Sequence, residues 1–345
     1  MDARFILSKN KLKEQVEKLE GWGLKISYSY KTNHEVGNLL QDLFDVDFSI
    51  HAREEIDMIK NKEKIWFFIQ AESNEDLKIL LRKDIVNFVV DNEVDLENIL
   101  EVLKETETKI NLSLRMKFQE HRIGTGKYFV YGMSSKKINE IVLREKNNPL
   151  IDNLGIHLHR KSQNVSEWEI KSELMDSLTK EVFERINFVN LGGGLPVKYR
   201  GYTSNILNYI FSKLNEVKEF LEEKNIQTYI EPGRFLAAPC IKLETKIIQI
   251  QGNNLIINTT LYNCALDTLL TGTKMLIEEE LAEGGENYLV KGNSPTRDDI
   301  FRYKVKLKNP HVGDKIIFLN AGAYNYTTDF FGYKKLKTEI REDFP

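Results

Sequence analysis

At 345 residues the chain exceeds one ordinary domain, and its 41 % hydrophobic and 29 % charged residues are those of a globular protein with a large core. A net charge of -3 without runs of like charge argues against nucleic acid or an anionic membrane surface as a partner. Two cysteines without metal-type or CxxC spacing, no leader-like N-terminus and no apolar stretch near the ~20 residues of a membrane span predict a reduced, cytoplasmic protein.

In chain order, residues 4–7 form a short apolar run ahead of a helix over 8–19. A rhythm follows. Strand-like runs occupy 25–31, 46–50, 64–70, 85–91, 110–116, 151–159, 186–192 and 228–231. Helical patterns cover 35–43, 74–81, 92–104, 134–144, 166–184 and 203–223. Alternating strands and helices imply a parallel sheet, and eight strands imply a closed (β/α)8 TIM barrel over residues 9–238, near the ~250 residues such barrels take. A doubly wound open sheet is the alternative. Further on, β-rich runs at 241–251, 255–260, 303–307 and 315–319 define a second, mostly β domain over 239–345. Residues 1–8 are expected to add a strand to it.

The ends of the barrel strands share a chemistry. The first run ends on Lys31, the second on Ser49 and His51, and the fourth on Asp91. The fifth carries Arg115, and the sixth ends on His157 and His159, with Ser162 just beyond. The seventh ends on Gly192, Gly193 and Gly194, and the eighth on Glu231-Pro232-Gly233-Arg234. Strand C-termini form the active-site rim of such barrels. Consecutive glycines let backbone N–H groups approach an anion, and Arg234 is a fixed cation beside them. Glu231 can hold a protonated ring nitrogen. His157 and His159 share a face, which is also a metal-ligand spacing. No third His, Cys or acidic residue recurs at a comparable position, so no metal is expected. His159 suits stacking on a flat cofactor ring. Lys31, desolvated against the barrel, can form a Schiff base with an aldehyde. These parts together describe a pyridoxal 5'-phosphate site.

The same residues resemble the fold-type III pyridoxal-phosphate decarboxylases, a group that includes diaminopimelate, ornithine, arginine and carboxynorspermidine decarboxylases. The resemblance runs from about residue 5 to 333. Tyr28-Ser-Tyr-Lys31-Thr-Asn33 resembles Tyr-Ala-x-Lys-x-Asn, which implies that Lys31 holds the cofactor. Residues 155–163 resemble Gly-x-His-x-His-x-Gly-Ser-Gln, implying His159 on the pyridine ring and Ser162 near the phosphate. The glycine triplet resembles the family's phosphate-binding segment. Glu231-Pro-Gly233-Arg234 matches Glu-Pro-Gly-Arg, implying Glu231 at the pyridine nitrogen and Arg234 near the phosphate. Gly322-Ala-Tyr324 matches the C-terminal Gly-Ala-Tyr, whose Tyr also reaches the phosphate. The resemblance implies an alanine-racemase-like barrel and a homodimer, each active site completed by the partner's second domain.

Two departures stand out. Residues 292–299, Gly-Asn-Ser-Pro-Thr-Arg-Asp-Asp, stand where the family has Gly-Pro-Thr-Cys-Asp/Glu-Ser-x-Asp. Arg297 is read in place of the proton-donating Cys, and Asp298 as the acid that meets the substrate's distal ammonium. Lys161 replaces the Gly of His-x-Gly-Ser. The expected function is decarboxylation of a basic or diamino acid, as in polyamine biosynthesis. Lys31, His159, Arg297 and Asp298 are its candidate catalytic residues. A racemase, a decarboxylation with transamination, or a non-catalytic homologue is the alternative.

Overall fold

A computed structural model describes residues 2–117, 131–201, 206–325 and 328–345. Strand β1 (Arg4–Ser8) leads into α1 (Lys9–Glu20), which begins where the Ser8 hydroxyl accepts from the Lys11 amide. Eight strands follow: β2 (Lys25–Ser29), β3 (Asp47–Ile50), β4 (Ile65–Phe68), β5 (Asn87–Val90), β6 (Ile110–Arg115), β7 (Ile151–His157), β8 (Phe188–Asn190) and β9 (Gln227–Ile230). They pair in parallel and in sequence order, and β9 returns to β2, so the sheet is a closed barrel and not an open one. Helices α2 (His34–Leu43), α3 (Asn74–Arg82), α4 (Glu93–Thr106), α5 (Ser135–Glu145), α6 (Ile170–Ser177), α7 (Lys180–Phe183) and α8 (Leu207–Glu222) lie between the strands. Strands such as β3 and β5 are buried at every position, because barrel side chains face either the interior or the helices.

The residues between β3 and β4, where no helical pattern is read, make 3-10 turns at Arg53–Met58 and Lys62–Lys64. One local expectation changes. The helical pattern over 166–184 breaks after Ser177 into α6 and α7.

One end of the barrel is sealed. Trp66, Phe188 and Tyr229, from β4, β8 and β9, meet edge to face with ring centroids 5.0 to 5.8 Å apart. Gly155 makes room for Phe188, since a Cβ there would lie 2.4 Å from its ring. Asn87, Asn111 and Asn153 link adjacent strand starts by amide-to-amide hydrogen bonds of 2.7 Å. The open end is therefore the C-terminal one.

After α9 (Arg234–Ala237) the chain builds a second sheet from β10 (Ile241–Gln251), β11 (Asn254–Ile257), β12 (Leu276–Ile277), β13 (Glu286–Lys291), β14 (Ile300–Leu307), β15 (Lys315–Leu319) and β16 (Lys337–Arg341). Helices α10 (Leu261–Cys264) and α11 (Leu266–Thr271) interrupt it. Strand β1 joins this sheet, antiparallel to β10 with Phe5 opposite Leu243. The expected class holds: an α/β barrel plus a mostly β domain. The second domain touches the barrel rim directly, where the Tyr324 amide donates to Thr32 O (3.0 Å) and Asn33 Nδ2 donates to Gly322 O (2.9 Å). No helix among the described residues is long and apolar enough to cross a membrane.

Candidate active site

Strand β2 stops at Ser29, and Lys31 sits on the 3-10 turn Tyr30–Thr32, not on the strand itself. The turn forms because Tyr30 folds under α2. Gly37 permits this, since a Cβ there would lie 2.3 Å from the Tyr30 ring. Asn33 then caps α2 by accepting from the Val36 amide at 3.1 Å. Lys31 is thus aimed into a cavity at the open end of the barrel, lined also by His159, Ser162, Gly193, Glu231 and Arg234. Its ammonium is open to the cavity, but protein surrounds it, and burial pushes its pKa down. Arg115 adds to the lowering, while Glu231 and Glu55 oppose it.

Glu231 follows β9 and is fully enclosed. Its Oε1 accepts from Ser49 Oγ (2.8 Å) and Asn190 Nδ2 (2.9 Å), and its Oε2 lies 2.9 Å from His157 Nε2. Burial alone would raise its pKa, but the His157 charge and the hydrogen bonds from His157 and Ser49 win and bring it to about 2. A carboxylate there is ionised across the working pH range. Because the folded pKa lies below the unfolded one, its stabilisation is complete above about pH 5 and is lost as pH falls toward 2. Glu231→Gln is expected to remove that acid-side loss, which thermal melts of both proteins at pH 6 and pH 3 would measure.

His159 lies just beyond β7, its ring nearly parallel to that of His157 (13°, 6.3 Å). It faces the cavity, and burial, reinforced by Arg115 and His157, holds it neutral. The expectation that no acidic residue accompanies the two histidines is overturned. Ligand atoms of His157, His159 and Glu231 lie within 4.8 Å of one another. The third partner comes from β9, far away in sequence, and His157 and both Glu231 oxygens are already bonded to one another, Ser49 and Asn190.

The three glycines divide their work. Gly192, at φ +67, donates its amide to Asn190 Oδ1, and a Cβ would lie 2.0 Å from Leu158 O, so it serves close packing and not the cavity wall. Gly193 and Gly194 line the cavity. A Cβ on Gly193 would lie 2.9 Å from Glu231 O, and Gly194 adopts φ +107. Gly233 packs against Thr32 Oγ1, which a Cβ would approach to 2.2 Å. Arg234 is buried, donating from Nε to Ser162 Oγ (3.0 Å), and Tyr324 lies 5.1 Å from its guanidinium carbon.

Arg297 and Asp298 are not at this cavity. Both are exposed, and they pair with each other at 3.4 Å. Their assignment also shifts. Asp299 is fully buried and accepts from the Leu261 and Ser294 amides, as a structural last residue of the segment would. Counting back from it puts Pro295 in the cysteine's place and Thr296 in the acid's place, with Arg297 two residues past. Lys161 is exposed.

Some residues carried no signal in the sequence. Asp267, on α11, grips Arg234 with both oxygens, Oδ2 at 2.7 Å and Oδ1 at 3.0 Å. Tyr199 OH accepts from the same guanidinium at 3.1 Å. Neither residue lies in a motif. Asn190 is two residues before the glycine triplet but reads as ordinary strand.

An ionised carboxylate, a lysine of lowered pKa and bare glycine backbone beside an arginine fit a phosphorylated pyridine aldehyde, and define a cofactor-binding barrel. Residues 8–238 match the family model described as pyridoxal-dependent decarboxylase, pyridoxal binding domain, and the chain belongs to this family. It is similar to the carboxynorspermidine/carboxyspermidine decarboxylase of Herminiimonas arsenicoxydans, 26 % identical over 183 residues, 51 % of this chain and 47 % of that one. It is also similar to the diaminopimelate decarboxylase of Archaeoglobus fulgidus, 23 % identical over 292 residues, 77 % of this chain and 68 % of that one. The first match therefore spans about half of the relative's length. Among solved structures, lysine decarboxylase from Selenomonas ruminantium shares the fold with a TM-score of 0.84 at 17 % identity, covering 99 % of this chain and 93 % of that one. Diaminopimelate decarboxylase from Helicobacter pylori, complexed with L-lysine, gives 0.82 at 20 % identity, covering 99 % and 92 %.

Proposed function

We propose that the chain is a pyridoxal-phosphate-dependent decarboxylase acting on a basic or diamino acid. The observation that carries this is Glu231, locked as a carboxylate by His157, Ser49 and Asn190 in the same cavity as Lys31. The cofactor, when bound, supplies an electron sink for the pair left when the carboxylate departs. This chain's residues make that sink effective. Glu231 would hold a proton at the ring nitrogen and so keep the ring cationic. Gly193, Gly194 and Ser162 would bind the phosphate, with Arg234 and Tyr324 fixing that end, and His159 would cover one face of the ring. Lys31, partly stripped of water, gives up its proton to become a nucleophile. Under this reading the chain works as a dimer, each cavity completed by the second domain of a second copy.

The test is product analysis by mass spectrometry after incubating the cofactor-loaded protein with ornithine, lysine, arginine and diaminopimelate in heavy water. An amine carrying one solvent deuterium is the expected product. Deuterated amino acid without carbon dioxide release would instead establish a racemase.

A further inference from the structure

Under the decarboxylase reading, on which this inference rests, the electron pair left on the α-carbon must end as a C–H bond, so a proton must reach that carbon. The segment in the place of the family's cysteine offers none: Pro295 has no acidic proton and Arg297 does not release its own. Both cysteines are buried, and burial pushes their thiols up to about 12. Arg234 is tied to Asp267, and Tyr324 lies against Arg234 at the phosphate end. His159 lies beside His157 and is assigned to the face of the cofactor ring.

His51 remains. It stands one residue beyond β3 and lines the cavity with Lys31. Its amide is directed at Glu55 Oε2 (3.3 Å). Its ring stacks on Phe68 at 4.4 Å and 15°, and Phe68 meets the His157 ring edge to face at 5.2 Å. The imidazole is therefore held in one orientation. Its Nδ1 is buried and has no hydrogen-bond partner among the described residues. A buried ring nitrogen without a partner is costly, and a group entering the cavity would remove that cost.

We propose that His51 is the proton donor of this site. The imidazolium N–H bond breaks as the new C–H bond forms with the electron pair released by carbon dioxide loss. The neutral ring then takes a proton from water. The balance closes, because decarboxylation of an amino acid to an amine consumes one proton and no oxidant. His51 lines the cavity with Lys31 and Glu231. Burial, with the charges of Lys31, His157 and Arg115, lowers its pKa to about 3 against the opposite pull of Glu231. The phosphate and the substrate carboxylate bring negative charge that offsets Lys31 and Arg115, so loading the cavity favours the protonated ring.

The experiment compares the wild-type protein with His51→Asn, both loaded with pyridoxal phosphate. His51→Asn is expected to bind the cofactor within about threefold of wild type and still to release carbon dioxide. The fraction of turnovers ending in a carbonyl product in place of the amine is expected to rise at least about tenfold, since protonation goes astray when the donor is gone. An unchanged ratio of amine to carbonyl product would overturn the proposal. A second measurement needs neither turnover nor the variant's folding. Imidazole NMR of isotope-labelled wild-type protein, loaded with cofactor and a substrate analogue, should show His51 titrating between about pH 5 and 8. A ring that stays neutral through that range would also overturn it. A wild-type protein that releases no carbon dioxide from any basic or diamino acid would remove the decarboxylase reading, and this proposal with it.

Discussion

Lys31→Ala is expected to lose the visible absorbance of bound cofactor after gel filtration and to lower turnover by at least about a thousandfold. The size of the effect follows from the cavity. Lys31 is the lysine that lines it, on a turn held from both sides by Asn33 and by the Tyr324 amide. Burial and Arg115 already weaken its hold on a proton. Lys161, exposed beyond β7, is not among the residues that line the cavity and does not substitute. The fold should survive, since the Lys31 side chain is open to the cavity. An unchanged thermal melt with lost absorbance is the full expected pattern.

Asp267→Ala is the second large effect. The Arg234 and Asp267 side chains are only 5 % and 4 % exposed, and the carboxylate grips the guanidinium with both oxygens. Burial disfavours the Arg234 charge, but the Asp267 hydrogen bonds outweigh it and hold the proton more tightly than usual. Removing Asp267 leaves a buried cation without its partner, a loss of about 3–5 kcal/mol. With an unfolding entropy near ~2.1 cal/mol/K per residue, that lowers Tm by about 4–7 °C. Calorimetry of the apoprotein measures it. Cofactor affinity should fall as well, because Arg234 also holds Ser162. The double change Arg234→Met, Asp267→Leu should cost less stability than Asp267→Ala alone, since no charge is then stranded.

The barrel was legible because each strand is a short, doubly buried apolar run between amphipathic helices, as β5 shows. The connection between β3 and β4 was not, because 3-10 turns have no 3.6-residue stripe to read. Strand β1 could be placed in the second sheet because an apolar run ahead of the first barrel helix has no other partner, and it pairs with β10. Strands β13 and β16 were missed, being mixed in polarity along their length. In the site, local motifs were readable and cross-chain partners were not. Glu231 announces itself in Glu-Pro-Gly-Arg, yet nothing in sequence joins it to Ser49, 182 residues earlier. Asp267 carries no local pattern, and its pairing with Arg234 appears only when the two domains meet. The segment around Arg297 has two adjacent aspartates that could end the motif, and only the burial of Asp299 under the Leu261 and Ser294 amides puts Pro295 in the cysteine's place.

The most direct test of a cofactor site at Lys31 is borohydride reduction of the pyridoxal-phosphate-loaded protein, followed by peptide mapping. The predicted result is one pyridoxyl-modified peptide, carrying its label on Lys31. A label on Lys161 or another lysine, or no fixed cofactor at all, would contradict the assignment of this cavity.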